Sequence, residues 1–383
     1  MRAADTVRLG LLAAIASTGT ACADAPGPAL PPDVPTFEGA IDLEIGEIDG
    51  DDPYLFTSIG SIVEDAHGRV VVADTRTSEI RVFDTDGRFA FRFGGYGEGP
   101  GELADPCCLE FGPDGALWVR ESTRYSAFRL DLTSAEYERG LRSPHASFGA
   151  MGPFTFDADS QLVDIGPVFS DDLSMLTARL HVGADGAVDT VFPAERDRQY
   201  VAQTTVPRMI GESQAIIYLH QPFGPKWIHT HASGGTWAEA VTSEYSISYH
   251  RPDGTVSRIE APAQQGPALS PEERIRAQGQ IDSELRRADI TNHPFGIPDH
   301  KPPLDGMFFD RGGRLWIEKS VAAGEETREA DVYDGMTLVA RYRWPIRVKK
   351  TWTTWATESV LYGMTRDSLG VERVARVRFA PVP

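Results

Sequence analysis

Glycines crowd the stretch "GGYGEGPGEL", residues 94–103, and a glycine-rich loop is one way for a backbone to cradle phosphate. The spacing argues against it here. Counted from Gly95, the third glycine of a G-x-G-x-x-G register falls on Pro100, which lacks a backbone donor, and Glu98 and Glu102 would repel an anion. "IHTH" sets His229 and His231 two residues apart, on one face of a strand, a spacing that suits a metal ion such as zinc. His220 and His293 are the histidines that could join them, but no acidic constellation stands nearby in the sequence. Cys107 and Cys108 are adjacent. In an oxidising compartment they could close an eight-membered disulfide ring; as two ordinary small residues at a strand start they would point to opposite faces, and that alternation favours the second reading. Cys22 is the third and last cysteine, so a disulfide framework and a zinc site built from spaced thiols are both excluded. No G-x-S-x-G, H-E-x-x-H or Walker-type motif occurs.

The elements that would position these groups are strands. The 383 residues include 37 glycines and 27 prolines, and long alanine- and leucine-rich periodic segments are scarce, which favours many short strands and turns. Six segments share a polar turn, a Gly or Ser anchor and a short apolar strand. The anchors are Gly68, Gly115, Ser160, Gly235, Gly313 and Ser359. Three intervals between them are 47, 45 and 46 residues, and the other two, 75 and 78, exceed that period by about thirty. A period in the forties built from strands predicts propeller blades of four antiparallel strands, here called A to D. In the first unit "SIVED" turns at Gly68 into "RVVVAD", a short loop leads to "EIRVFD", and Asp86-Gly87 turns the chain into "FAFRFG". Six anchors predict six blades. The last unit ends after its third strand, and a bare edge there would be an aggregation hazard. "FEGAIDLEIG", Phe37–Gly46, is expected to supply the missing strand and close the ring.

In such a unit the D-to-A links and B–C loops share one face, and both thirty-residue excesses are D-to-A links, at about 195–226 and 263–302. The second contains "SPEERIRAQGQIDSELRRA", whose Ser cap, first-position Pro and early acids predict one helix. This insertion-bearing face, at the channel mouth, is the expected ligand face. Its candidate ligand-binding residues, at or beside the ends of the B strands, are Asp74, Arg76, Glu121, Arg124 and Lys319. Two acids and a lysine do not make a ring of metal ligands, and Asp74 is expected to fix its own B–C loop through backbone N–H groups. The catalytic set is therefore expected to be empty.

From "VVVADTRTSEIRVFDTDGRF" through "FGGYGEGPGELADP" the chain resembles the NHL-repeat family of β-propellers, in the Asp before the B–C loop, the "IRVFD…DG" hairpin and the Gly/Pro-rich link. It is also similar to secreted bacterial six-bladed propellers. The resemblance implies the fold and the compartment and says little about chemistry. Some related propellers are hydrolases or lyases with a metal in the axial channel.

The N-terminus is read as a targeting segment. Arg2 and Arg8 flank the start, and "LGLLAAIA" is about half the length needed to span a bilayer. Small residues precede Cys22 as in a bacterial lipoprotein cleavage box, which would make Cys22 the lipidated residue; cleavage after Ala23 or Ala25 also fits. The expected organisation is a signal peptide over 1–22, a Pro-rich tether over 23–36 and an all-β propeller over 37–383. A net charge of -19 excludes nucleic acid and anionic membrane surfaces as partners. The expected function is that of a monomeric, extracytoplasmic, lipid-anchored binding or scaffold protein. Its partner would be a protein, peptide or glycan, and no cofactor is expected. The alternative is a lactonase-like hydrolase or lyase using channel Ca or Zn.

Overall fold

The computed structural model describes residues 34–143, 153–169, 175–191, 201–211, 213–262, 264–351 and 353–382. The expected signal segment, Cys22 and the tether up to residue 33 lie outside them. Strand β1 (Thr36–Ile45) comes first. Blade 1 is β2 (Ile59–Glu64), β3 (Val70–Asp74), β4 (Glu79–Phe83) and β5 (Phe89–Gly94). Blade 2 is β6 (Cys108–Phe111), β7 (Leu117–Arg120), β8 (Arg124–Leu130) and β9 (Ala135–Arg142), and blade 3 is β10 (Phe154–Phe156), β11 (Leu162–Phe169), β12 (Met175–Val182) and β13 (Val188–Val191). A separate hairpin, β14 (Gln203–Ile210) and β15 (Ser213–His220), precedes blade 4, which is β16 (Trp227–His231), β17 (Trp237–Val241), β18 (Ser246–His250) and β19 (Val256–Glu260). After helix α1 (Pro271–Ala288), blade 5 is β20 (Leu304–Phe309), β21 (Leu315–Lys319), β22 (Thr327–Asp334) and β23 (Thr337–Pro345). Blade 6 has β24 (Trp355–Ala356), β25 (Val360–Arg366) and β26 (Glu372–Pro381).

The expected closure is present. Strand β1 pairs antiparallel with β26 from Phe37↔Pro381 to Ile45↔Val374 and so becomes the outer strand of blade 6. Its other edge touches β23 in parallel over Thr36–Glu38, which joins blades 5 and 6 into one eight-stranded sheet. The seam is specific: Phe37 stacks on Tyr342 at 4.8 Å, and Asp42 bonds Arg376 and Arg378 at 2.9 and 2.8 Å. At Gly39 a Cβ would stand 2.6 Å from Val377 Cγ1, so the strand approaches too closely there for any side chain.

The repeat also has a turn chemistry that its glycines only hint at. The anchor Gly68 has φ +76°, the left-handed conformation that costs glycine least. Three residues earlier, Asp65 accepts from the backbone N–H groups of His67 and Arg69; Asp157 does the same for Asp159 and Gln161, and Asp310 for Gly312 and Arg314. Apolar side chains of neighbouring blades fill the space between sheets, as where Leu109 and Phe128 of blade 2 pack with Val71 and Phe83 of blade 1.

The two insertions lie where expected and pack on each other. Helix α1 begins with a complete capping box, Ser270 Oγ accepting from Glu273 N and Glu273 Oε2 from Ser270 N, and ends on the left-handed Asp289. Its stripe of Ala277, Ile281, Glu284 and Ala288 is buried, and Ala288 packs with Ile217 and Leu219 of β15. The hairpin β14–β15 was not anticipated. Its signal, the alternation in "SQAIIYLH" after Gly211, is short and is interrupted on the partner strand by Pro207.

Candidate functional site

Four of the five candidate residues at or beside the B-strand ends make bonds within the scaffold. Asp74, fully buried, accepts from Thr57 N at 2.9 Å and Ser58 N at 3.0 Å and lies 3.4 Å from the buried Arg81. It thus fixes the chain entering blade 1, where its own B–C loop was expected. Glu121, also fully buried, accepts from Ala104 N (2.7 Å), Arg124 Nε (2.9 Å) and Ser126 Oγ (2.8 Å). Arg124 then donates to the carbonyls of Glu98 and Glu102 at 2.7 and 2.5 Å. The glycine-rich link is therefore a folded loop held by Glu121 and Arg124. Lys319 bonds Glu329 at 2.7 Å and Asp331 at 3.1 Å. Arg76 is exposed on the B–C loop of blade 1. Cys107 and Cys108, both fully buried, are joined in a disulfide at the entrance to β6, so the reading as two ordinary small residues is corrected.

The inner strands of the ring line a cavity of about 420 Å³. It runs along the inner strands from Pro153, Ile165 and Thr353 to the A–B turns at Ser233 and Asp310. Its lining is mixed: Phe154, Met307 and Phe309 give apolar surface, and Thr155, Thr230 and Thr354 give hydroxyls. Thr353 Oγ1 is buried on this wall without a hydrogen-bond partner. At the A–B-turn end Arg311 of blade 5 reaches across to Glu110 of blade 2, the blade opposite, and bonds its carboxylate. Burial pushes the Glu110 carboxyl up, and Arg311 opposes this. This bridge crosses the axis on the side away from the insertions. Nothing in the sequence pairs these two residues, since the contact spans 201 positions; the inward alternation of the A strands was the one usable signal, and it marks Glu110 but not its partner.

His229 and His231 lie on this wall, with His229 Nδ1 3.3 Å from His231 Nε2. Trp227 packs on His229 (ring centroids 4.4 Å apart) and donates through Nε1 to Glu239 at 2.7 Å. His231 lies parallel to Trp237. Burial lowers the His229 pKa to about 4, with Glu239 pulling the other way, and burial and the neighbouring His229 hold His231 well below the ordinary value. Both rings are neutral at pH 7. The unfolded chain, with His near 6.5, binds protons first as pH falls. The His229 ring therefore contributes stability that is complete above about pH 6.5 and is lost as pH falls from there to about 4, and His231 acts in the same direction. An NMR titration is expected to find His229 still neutral at pH 5; a midpoint near 6.5 would show that it is solvated.

The nearest nitrogens of the pair face each other at 3.3 Å. Among the described residues no group of three or more His, Cys, Asp or Glu could hold an ion. His220 and His293 meet instead at Glu284 of α1, where His293 Nε2 lies 3.0 Å from the carboxylate and His220 N donates to it at 2.9 Å. Burial raises the Glu284 pKa, but bonds from Gln280, His220 and His293 outweigh it and leave the net shift downward.

Residues 43–138 match a family model described as a 6-bladed beta-propeller. No curated protein matches the chain. Among solved structures the chain is similar to virginiamycin B lyase from Staphylococcus aureus, at 12% identity, over 89% of this chain and 99% of that one, with a TM-score of 0.42. It is also similar to PQQ-bound aldose sugar dehydrogenase from Streptomyces coelicolor (12%, 93% and 100%, 0.43) and to the calcium-binding protein regucalcin from Agrobacterium tumefaciens (14%, 90% and 96%, 0.41). Six four-stranded blades, the last completed by the N-terminal strand, make this chain a six-bladed β-propeller.

Proposed function

We propose that the protein is a non-enzymatic binding protein whose ligand enters from the insertion-bearing face and lodges in the axial cavity. The observation that carries this reading is the character of the wall. Its ionised groups are already engaged, Glu110 with Arg311 and Asp310 with Arg314 and Trp316 Nε1, while the remaining polar groups are hydroxyls and neutral imidazoles. Such a wall suits an uncharged ligand with hydroxyl or amide groups and an apolar face, which is the chemistry of a glycan or a blocked peptide. Thr353 Oγ1, buried and without a partner, is a group that a ligand could satisfy. The Cys107–Cys108 disulfide supports an oxidising, extracytoplasmic location, and an anchor at Cys22 would tether the ring to the envelope. We place the protein there as a monomer.

Calorimetric titration with uncharged oligosaccharides and blocked di- and tripeptides tests the reading. One class is expected to bind saturably at one site, and Thr353→Val to weaken it about tenfold, the effect of one lost buried hydrogen bond. Recovery of the bound compound as a cleaved product would contradict the absence of catalysis.

A further inference from the structure

We infer that the recess between blades 3 and 4 is a second binding site, one that takes a small monocarboxylate with an apolar body. The recess, about 510 Å³, lies on the face opposite the insertions, between the turns at Asp157–Asp159, Gly234–Thr236 and Pro252–Gly254. It shares only Thr155, His231 and Ala232 with the axial cavity.

Its cations are Arg179 and Arg251; Arg251 donates to Ser257 Oγ at 2.7 Å and lies over the Tyr249 ring, which leaves Arg179 as the principal one. Arg179 and His181 stand two residues apart on β12, and so on one face of that strand. The guanidinium carbon lies 4.7 Å from the ring centroid of Trp237, and Trp237 is itself stacked on His250 at 3.7 Å. The planar group is thus held in place by packing. Its Nε is buried and has no hydrogen-bond partner, although a guanidinium is built to offer N–H groups in pairs to a carboxylate. The charge of Glu239 favours the protonated guanidinium, against the effect of burial. A half-buried guanidinium held in one plane on the wall of a cavity is suited to a planar anion.

The rest of the lining sets the class. Asp157 and the exposed Asp159 border the same recess, which disfavours a dianion such as phosphate. Asp157 is turned inward to its own turn and to His181 Nδ1 at 3.0 Å, leaving Asp159 as the charge nearest to solvent. Val163, Ala232, Pro252 and Val256 supply apolar wall for the body of the ligand.

Benzoate is a suitable probe, with benzamide as its uncharged isostere and inorganic phosphate as the dianion, followed by intrinsic tryptophan fluorescence and calorimetry on the full chain. Benzoate is expected to bind saturably, with benzamide and phosphate weaker by about tenfold or more, the cost of losing a charge-assisted pair. Arg179→Met is expected to abolish binding. Asp159→Asn changes only an exposed side chain and is expected to tighten binding by roughly two- to fivefold, so the test survives a failure of the Arg179 variant to fold. Thr353→Val lies in the axial cavity alone and is expected to leave benzoate affinity unchanged, which separates this site from the axial one. Equal binding of benzamide, unchanged affinity in Arg179→Met or in Asp159→Asn, or no saturable response in the millimolar range would each overturn the inference.

Discussion

A chain beginning at Glu47, and so without β1, is expected to melt far below one beginning at Val34, or to aggregate before it melts. Strand β1 fills the outer edge of blade 6 and seals part of the edge of blade 5. Its loss exposes the edges of β26 and β23 together. It also strips Ile45, Ile41 and Phe37 from the cores that they complete. At about 1.5–3 kcal/mol for each large apolar side chain, the apolar loss alone is roughly 5 kcal/mol. That is comparable with a whole domain's ~5–15 kcal/mol. Asp42, which bonds both Arg376 and Arg378, adds register specificity more than energy, since all three side chains have access to water. Thermal unfolding followed by circular dichroism, with light scattering in parallel, checks this. Equal melting of the two chains would mean that blade 6 does not need its fourth strand.

The second large effect concerns Asp74. Asp74→Ala removes the acceptor for two backbone N–H groups and leaves Arg81, 2% exposed, with Glu79 as its remaining acidic partner at 3.2 Å. Breaking one side of a buried charged network costs about 3–5 kcal/mol, so the melting midpoint is expected to fall by roughly 5 °C, because an unfolding entropy of ~2.1 cal/mol/K per residue gives little more than ~1 °C per kcal/mol in a chain this long. Arg76→Ala, two residues on and exposed, is expected to change stability by less than about 0.5 kcal/mol. Differential scanning calorimetry of both variants makes the comparison. An Asp74→Ala protein as stable as the wild type would return Asp74 to the candidates for ligand contact.

These two residues also show what could be read from the sequence. The blade count, the closing strand and the helix were legible because each is written locally: a periodic anchor, an alternating strand with no other partner, a Ser-Pro start followed by acids. For Asp74 the kind of role, accepting from backbone N–H groups, was legible but not the segment it holds, and the roles of Glu121, Arg124 and Lys319 were not legible. A charge at a strand end looks the same in sequence whether it faces a ligand or a backbone amide, and only the neighbouring link decides. Glu121 and Arg124 spend their polar groups on residues 98–104, so the glycine-rich stretch and the supposed ligand residues turn out to be one structural unit. The histidine spacing was read correctly as one face of one strand, but the contact between the rings follows from rotamers that spacing does not specify. The axial bridge joins opposite blades and the Arg179 recess joins two neighbouring ones, and no local pattern records either.

The central claim is that ligand binding belongs to the axis of the ring. The most direct measurement is a crystal structure of the protein with the tightest uncharged oligosaccharide or blocked peptide from the titration panel. The account predicts that ligand between Thr353, His229 and Phe309, intact, with the Glu110–Arg311 bridge below it. Ligand seated instead on α1 and the β14–β15 hairpin, with the axial cavity unchanged, would contradict it.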